Sequence, residues 1–440
     1  MASPPPRSCD RCHSIKELCR WIPGSAECQR CARLGHSCAT VRQVKRAGRR
    51  PQSTPQMPQL HPSLHVLEGS DVLAGVPKSE CQLVSRMLSV DENLEQFLMG
   101  PSFCNSHRQL LISSFVSHGS ILKDAVLACS TAWLGASEEL DCSYRKASSA
   151  LTTLYSFEVK DEDDMAICLA LGASLHTFAL KLRVNDISAI CSQTLGRIKV
   201  VYEANPQIEP DRCFMLTCMV NADIFECLLL GQAPSLRYQP PTDPNYVDRF
   251  AGLCTTLLPL LQDICELNNA LTHADETDKN DIMNSLDALE VSVRNWRPSV
   301  PSRFISRFTA SETAHIICQA EVMRMAALLI IHRLVHPFGS NDEPAAVLAS
   351  AIMNQLVTTH LVTEKPVRCA ELAIVVAYLE FQGGERLRWL QKLQSLVGFS
   401  AEYKQRVQNI ILSAWMAKDG GMVSSWYNLA GVVSPVPVQL

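Results

Sequence analysis

The sequence predicts a mostly α-helical chain in which a small cysteine-rich N-terminal module precedes a disordered Pro/Gln linker and a large all-helical C-terminal domain. Three observations carry that expectation. Six cysteines crowd into residues 9–38; Pro51, Pro55, Pro58 and Pro62 alternate with Gln52, Gln56 and Gln59; and from about Ser79 onward apolar residues recur every three or four positions, with few strand or hairpin signals. The boundaries drawn from these shifts are 1–41, 42–78 and 79–418, with a C-terminal tail at 419–440.

In the module, Cys9, Cys12, Cys19, Cys28, Cys31 and Cys38 write the pattern C-x2-C-x6-C twice, the second copy displaced by nineteen residues at all three positions. A C-x2-C pair brings two sulfurs onto one ion. Tetrahedral zinc takes four sulfurs, so two ions need eight ligand bonds, and six cysteines supply eight only where two of them bridge both metals. The cluster is therefore binuclear or incomplete. By internal symmetry the bridging pair is Cys9 and Cys28, with Cys12 and Cys19 completing one Zn2+ site and Cys31 and Cys38 the other. A disulfide framework is the alternative that spacing alone leaves open. The abundant basic residues, and the absence of an apolar stretch after Met1, favour a reduced compartment and a metal. Thirty residues bury little core, so a short helix in each half is expected to be held by the metal.

Charge is unevenly spread. Eleven Lys or Arg against three acidic residues give residues 1–50 a balance of +8, which leaves −12 on the rest of a chain whose net charge is −4. Two zincs with six thiolates offset only two of those positive charges. A polyanion-binding head on an acidic body is the implication.

Comparison of the halves is informative. Lys16 falls where the second half has Gly35, a C-cap residue type. Only the first half thus ends its helix with a long cation, able to donate to guanine O6 and N7 in the major groove. A solvated surface lysine is the plainer reading. Arg11, Arg30 and Arg33 are candidates for phosphate contacts.

The cysteine pattern of residues 9–38 resembles the fungal Zn2Cys6 binuclear cluster family of DNA-binding transcription factors. The resemblance implies two zinc ions, double-stranded DNA as partner, a nuclear location, and a Lys at the position of Lys16 that contacts a CGG triplet. His13, Ile15 and Leu18 stand where members of that family usually carry Arg or Lys, which implies fewer phosphate contacts.

Trp21, in a loop marked by Pro23-Gly24, is expected to pack over the cluster rather than stack on nucleic acid. Lys45, Arg46, Arg49 and Arg50 form a basic arm, suited to nuclear import and to phosphate or minor-groove contact. The four prolines that follow break any coiled coil there. Residues 1–80 are expected to be monomeric, a homodimer forming only through the helical body.

In the body, Ile316, Ala320, Met323, Ala327, Ile330 and Leu334 predict a helix with one buried face, stopped at His336-Pro337-Phe338-Gly339. The stretch from Cys213 to Leu230 is apolar nearly all round and predicts a central buried helix. Asp161–Asp164 would complement a helix N-terminus rather than bind metal. No apolar run of bilayer length is expected, Met325–Ile331 being stopped by His332 and Arg333, so no membrane partner is expected. The remaining thirteen cysteines lack paired metal spacing. Nucleophile-elbow, zincin, P-loop and dinucleotide motifs are absent, and His332/His336 and Asp223/Glu226 lack companions for chemistry, so an enzyme is not expected.

The phrases CLLLGQAPSLRYQPP and LLIIHRLVHPFG resemble the helical regulatory domain that fungal zinc-cluster factors carry downstream, over about residues 80–420. Together the two resemblances imply a regulator of RNA polymerase II genes, acting with the transcription machinery or co-regulators, in control of a metabolic pathway. The rival is a zinc-stabilised interaction adaptor that does not read DNA.

Overall fold

A computed structural model describes residues 8–21, 25–41, 73, 75–135, 139–182 and 187–433. Most of the 42–78 linker, and with it Lys45, Arg46, Arg49 and Arg50, lies outside the described residues. The chain divides into two compact units, Met1–Gln59 and Leu60–Leu440. Helices dominate the second, and the described residues contain no strand, only two isolated bridge pairs.

The first unit contains two short helices, α1 (Asp10–Ser14) and α2 (Gln29–Leu34). Among its described residues Cys9, Cys12, Cys28 and Cys31 are buried, with Cys19, Trp21 and Cys38 packed against them. Trp21 thus packs on the cysteines, as expected.

The second unit opens with α3 (Lys78–Ser89), α4 (Asp91–Glu95) and α5 (Cys104–Leu134), the last kinked at His118. It continues through α6 (Leu140–Ser156), α7 (Glu162–Leu182), α8 (Ile187–Ala204) and α9 (Leu216–Leu230). Next come α10 (Leu258–His273), α11 (Glu276–Asn295), α12 (Phe304–Arg307) and α13 (Ala310–Val335). The last elements are α14 (Asp342–Thr363), α15 (Glu371–Tyr378), α16 (Gly384–Leu396), α17 (Ala401–Asp419) and α18 (Ala430–Val433).

Helices α7, α9, α13 and α15 are buried on most sides. Around them, α5 packs on α6 and α7, α8 joins α7 to α9, and α13 sits against α11, α14 and α15. Helix α9 is the central buried helix expected of residues 213–230, ended by Gly231 in the left-handed region at φ 63°. Where α7 meets α8, a Cβ at Gly172 would lie 2.1 Å from Thr194 Oγ1, so only glycine permits that approach. At the start of α7, Asp161 Oδ1 accepts from Asp164 N at 2.9 Å, while Glu162 and Asp163 pair with Arg212. The acidic run therefore serves the helix N-terminus. Beyond Asp419, Trp426 and Leu429 are buried, and Trp426 Nε1 donates to Leu228 O at 3.0 Å, so that part of the 419–440 segment packs on α9.

Two expectations need correction. Helix α13 is buried nearly all round, Arg333 included, because neighbours surround it; periodicity marks only its most apolar face. It also begins at Ala310, before the periodic residues, on a capping box between Thr309 and Glu312. Four helical stretches, Pro101–Leu134, Glu162–Leu182, Ala310–Val335 and Asp342–Thr363, are long and apolar enough to cross a membrane, contrary to the reading of the apolar runs. In Glu162–Leu182 and Ala310–Val335 that apolarity is mostly inside the core.

Three buried histidines are expected to make the body acid-sensitive. Burial pulls His107 down to about 3, helped by Arg249; burial pulls His176 to about 4, helped by Arg406, and His315 to about 4, helped by Arg368 and Lys365. Unfolding returns each to its ordinary value near 6.5, so on acidification the unfolded chain binds protons first. Their contribution is whole above pH 6.5 and is lost as pH falls through about 4. Asp223 and Glu371, raised by burial, act in the opposite direction and trim the loss. In urea titrations the body should lose up to about 1.4 kcal/mol per pH unit per histidine across that window. A midpoint that stays level from pH 6.5 to 4 would contradict buried neutral imidazoles.

Candidate metal centre

The nineteen-residue repeat is a repeat of hydrogen bonds as well as of sequence. Cys9 and Cys28 are the N-caps of α1 and α2, in matching extended conformations. Each Sγ accepts from the main-chain N–H three residues on, Cys12 N to Cys9 and Cys31 N to Cys28, both at 3.4 Å. The third cysteine of each half folds back on the first: Cys9 N donates to Cys19 Sγ at 3.2 Å, and Cys28 N to Cys38 Sγ at 3.3 Å. Sulfur here occupies the capping position usually held by Ser, Thr, Asp or Asn.

Two groups of four sulfurs result, Cys9, Cys12, Cys19 and Cys28 in one and Cys9, Cys28, Cys31 and Cys38 in the other, with all Sγ atoms of a group within 4.8 Å of one another. Cys9 and Cys28 belong to both. The close Sγ···Sγ separations are 3.8 Å for Cys9–Cys28, 3.7 Å for Cys9–Cys31 and 3.8 Å for Cys12–Cys28. A tetrahedron with zinc–sulfur bonds of about 2.3 Å has an edge of about 3.8 Å, so these groups fit an ion of that size. All six thiols are free of disulfides.

Electrostatics within the cluster is divided. The Cys31 main-chain N–H pulls Cys28 down to about 6. Burial opposes the same effect at Cys9, where the Cys12 N–H and neighbouring thiols outweigh it. Burial pushes Cys12 up to about 12, reinforced by Cys9 and Cys28, and raises Cys31 likewise. Six sulfurs this close do not all ionise without a cation among them, so ion binding must expel protons.

The helix ends differ in one respect. Gly35 ends α2 at φ 63°, and nineteen residues earlier Lys16 follows α1 at φ 54°. Both occupy the left-handed region, where a lysine is strained and a glycine is not. Lys16, Arg11 and Arg33 are exposed. Arg30 Nη1 instead pairs with Glu17 Oε2 at 2.9 Å, linking the second half to the first. Asp10 Oδ2 accepts from Val41 N at 2.7 Å and ties the end of the module back to α1, a contact no sequence spacing announced. Ile15 and Leu18 are 50% and 68% exposed. Among the described residues, His332 and His336 form no metal-holding group; His332 Nε2 bonds Asn341 O at 2.9 Å.

A family model for the fungal specific transcription factor domain matches residues 97–431. The chain belongs to that family. No curated protein and no solved structure matches the chain. The fungal specific transcription factor domain spans α5 through the start of α18 and leaves the cysteine module N-terminal to it. Both phrases that carried the body's resemblance lie inside the match. In one, Arg237 pairs with Asp263 at 2.6 Å and Glu266 at 3.6 Å; in the other, Arg333 sits in a buried ion-pair network. Membership of this family makes transcriptional regulation the protein's general role, and speaks for a regulator rather than an enzyme.

Proposed function

We propose that the N-terminal module binds two Zn2+ ions and reads DNA for a nuclear regulator of RNA polymerase II genes, with CGG-like triplets contacted in the major groove by Lys16. The observation that carries this reading is the pair of four-sulfur groups sharing Cys9 and Cys28, each fitted to a tetrahedral ion. Cys9 and Cys28 bridge the ions, Cys12 and Cys19 complete one site, and Cys31 and Cys38 complete the other. The ions fix α1 and α2; the chain's own cations do the recognition. Lys16 presents its ammonium from a position whose counterpart is glycine, so the side chain is kept at a cost in backbone strain. Arg11 and Arg33 face phosphates, with Arg30 held by Glu17, and Lys45, Arg46, Arg49 and Arg50 add a sequence-independent grip. Co-regulators and any homodimer engage the helical body, and the genes controlled belong to a metabolic pathway.

Variants of Lys16 test the reading on the full chain. Lys16→Gly should retain or improve module stability while costing about 1–3 kcal/mol against the preferred duplex and relaxing its sequence. Arg49→Ala should instead weaken all duplexes alike and flatten the salt dependence. Selection from randomised duplexes followed by gel shifts measures both. If Lys16→Gly and Arg49→Ala depress specific and random DNA equally, Lys16 is no base reader.

The exposed Ile15 and Leu18, placed where phosphate-binding cations would help, favour a second reading: an interaction adaptor built on the same cluster. In that case the randomised selection yields no enriched sequence.

A further inference from the structure

A cavity of about 270 Å³ lies where the N-terminus of α13 meets two connecting segments of the body, the one after α4 and the one joining α14 to α15. Leu98, Met99 and Pro101 give it an apolar side. Glu95, Glu312, Lys365 and Arg368 are its charged lining, and the first three are already engaged. Glu95 Oε2 pairs with Lys365 Nζ at 2.7 Å. Glu312 closes the capping box of α13 and accepts from Thr309 N at 2.9 Å, Ser102 N at 2.6 Å and Ser102 Oγ at 2.8 Å.

Arg368 makes no hydrogen bond and no ion pair among the described residues. Its guanidinium is laid over Gly398: a Cβ there would come 2.3 Å from Arg368 Nη1, so the missing side chain makes the room. Other arginines drawn out of solvent in this body find acceptors. Arg108 reaches Asp91, Arg197 the main-chain oxygens of Tyr155 and Phe157, Arg249 reaches Asp211, and Arg406 reaches Glu226. Burial lowers the Arg368 pKa, and Glu371 and Glu95 oppose that from a distance without pairing with it. His315, held neutral by burial on the same wall, adds no counter-charge. The Ser311 hydroxyl, also on the wall, is likewise without a partner among the described residues. Unpaired donors converging on one void, a guanidinium among them, point to a missing acceptor.

Size and charge define it. An apolar cavity of about 150 Å³ holds one benzene ring, so this larger one takes a molecule of roughly ten non-hydrogen atoms. A cation would meet Arg368 while both carboxylates of the wall are already bound, and a neutral molecule would leave the guanidinium unpaired. A carboxylate matches the guanidinium fork with two parallel hydrogen bonds. We propose that this cavity binds a small organic carboxylate, forked by Arg368, with the Ser311 hydroxyl as a further donor and the apolar part against Leu98, Met99 and Pro101. Inorganic phosphate supplies charge but nothing for the apolar side. The site belongs to the body alone and stands independently of DNA reading by the cysteine module.

Phenylacetate, phenylacetamide and phenethylamine share a ring and a short arm and differ in charge, which makes them suitable probes of the full chain. In saturation-transfer NMR and thermal melting, phenylacetate should bind and raise the melting temperature, phenylacetamide should bind about tenfold more weakly, and phenethylamine least. Equimolar inorganic phosphate should not displace phenylacetate. Arg368→Gln removes the charge and breaks no ion pair, so the urea midpoint should hold while phenylacetate weakens about tenfold or more, to the level of phenylacetamide. Cations of the N-terminal module attract anions too, and that attraction would survive Arg368→Gln. Equal affinity for phenylacetate and phenylacetamide, displacement by equimolar phosphate, no saturation transfer to phenylacetate, or unchanged phenylacetate affinity in Arg368→Gln would overturn the proposal. The comparison of probes on the unaltered chain decides the matter even where the variant fails to fold.

Discussion

Replacing Cys28 with alanine should take the zinc content of the full chain from two ions toward zero, whereas Cys38→Ala should leave close to one. The difference follows from membership: Cys28 belongs to both four-sulfur groups and Cys38 to one. Cys28 also caps α2 and accepts the Cys31 N–H, so its loss removes a ligand and a helix start together. Little else among the described residues holds the module, since the side chains buried there are all cysteines and the one large apolar neighbour described is Trp21. On the two-zinc reading, ion binding supplies most of the folding energy, about 10–16 kcal/mol for a structural zinc in small peptides. Sequence-selective DNA binding should vanish in Cys28→Ala. Elemental analysis by mass spectrometry checks the count, and a value of one zinc in the unaltered protein would sink the bridged arrangement.

In the module, the grouping of the six cysteines was legible because a duplicated C-x2-C-x6-C register duplicates the local geometry. The alignment of Lys16 with Gly35 was legible too. That both residues occupy the left-handed region was not, because a lysine there breaks a local preference and sequence pattern reports preferences. The Arg30–Glu17 pair escaped for a different reason. Its partners lie thirteen residues apart, on different halves, where only the folded cluster brings them together.

In the body, helix existence and stop signals were readable from apolar period and from Gly, Pro and acidic punctuation. The start of α13 was readable in principle, since Thr309 and Glu312 write a capping-box spacing ahead of the periodic residues. Burial was harder. A period of three to four marks the most apolar stripe and says nothing of whether the opposite face meets water or another helix. For the same reason the apolar pocket lined by residues of α7, α9, α13, α15 and α17, with Phe97, Phe250, Cys369 and Phe399 from between helices, left no trace: it depends on how separate segments pack.

Arg333→Met should cost the helical body about 3–5 kcal/mol, because it leaves a carboxylate buried without its counter-charge. The Arg333 and Glu380 side chains are 2% and 4% exposed, and they meet in a two-pronged contact: Nε to Oε1 at 2.9 Å and Nη2 to Oε2 at 2.6 Å. The remaining donors reach Asp342 Oδ1 at 2.7 Å, Ser340 O at 3.0 Å and Pro337 O at 3.2 Å, so every N–H of the guanidinium is used. One side chain thereby ties the end of α13, the Pro337–Ser340 turn, the start of α14 and the segment after α15. Arg333→Lys should fail nearly as badly, since an ammonium cannot reproduce the planar fork. Most of the cost is the stranded charge rather than the lost attraction, so Arg333→Met combined with Glu380→Leu should recover a large part of it. Urea midpoints of the single and double variants separate the two contributions. A single variant within about 1 kcal/mol of the unaltered protein would show the pair to be no more than a surface-type bridge.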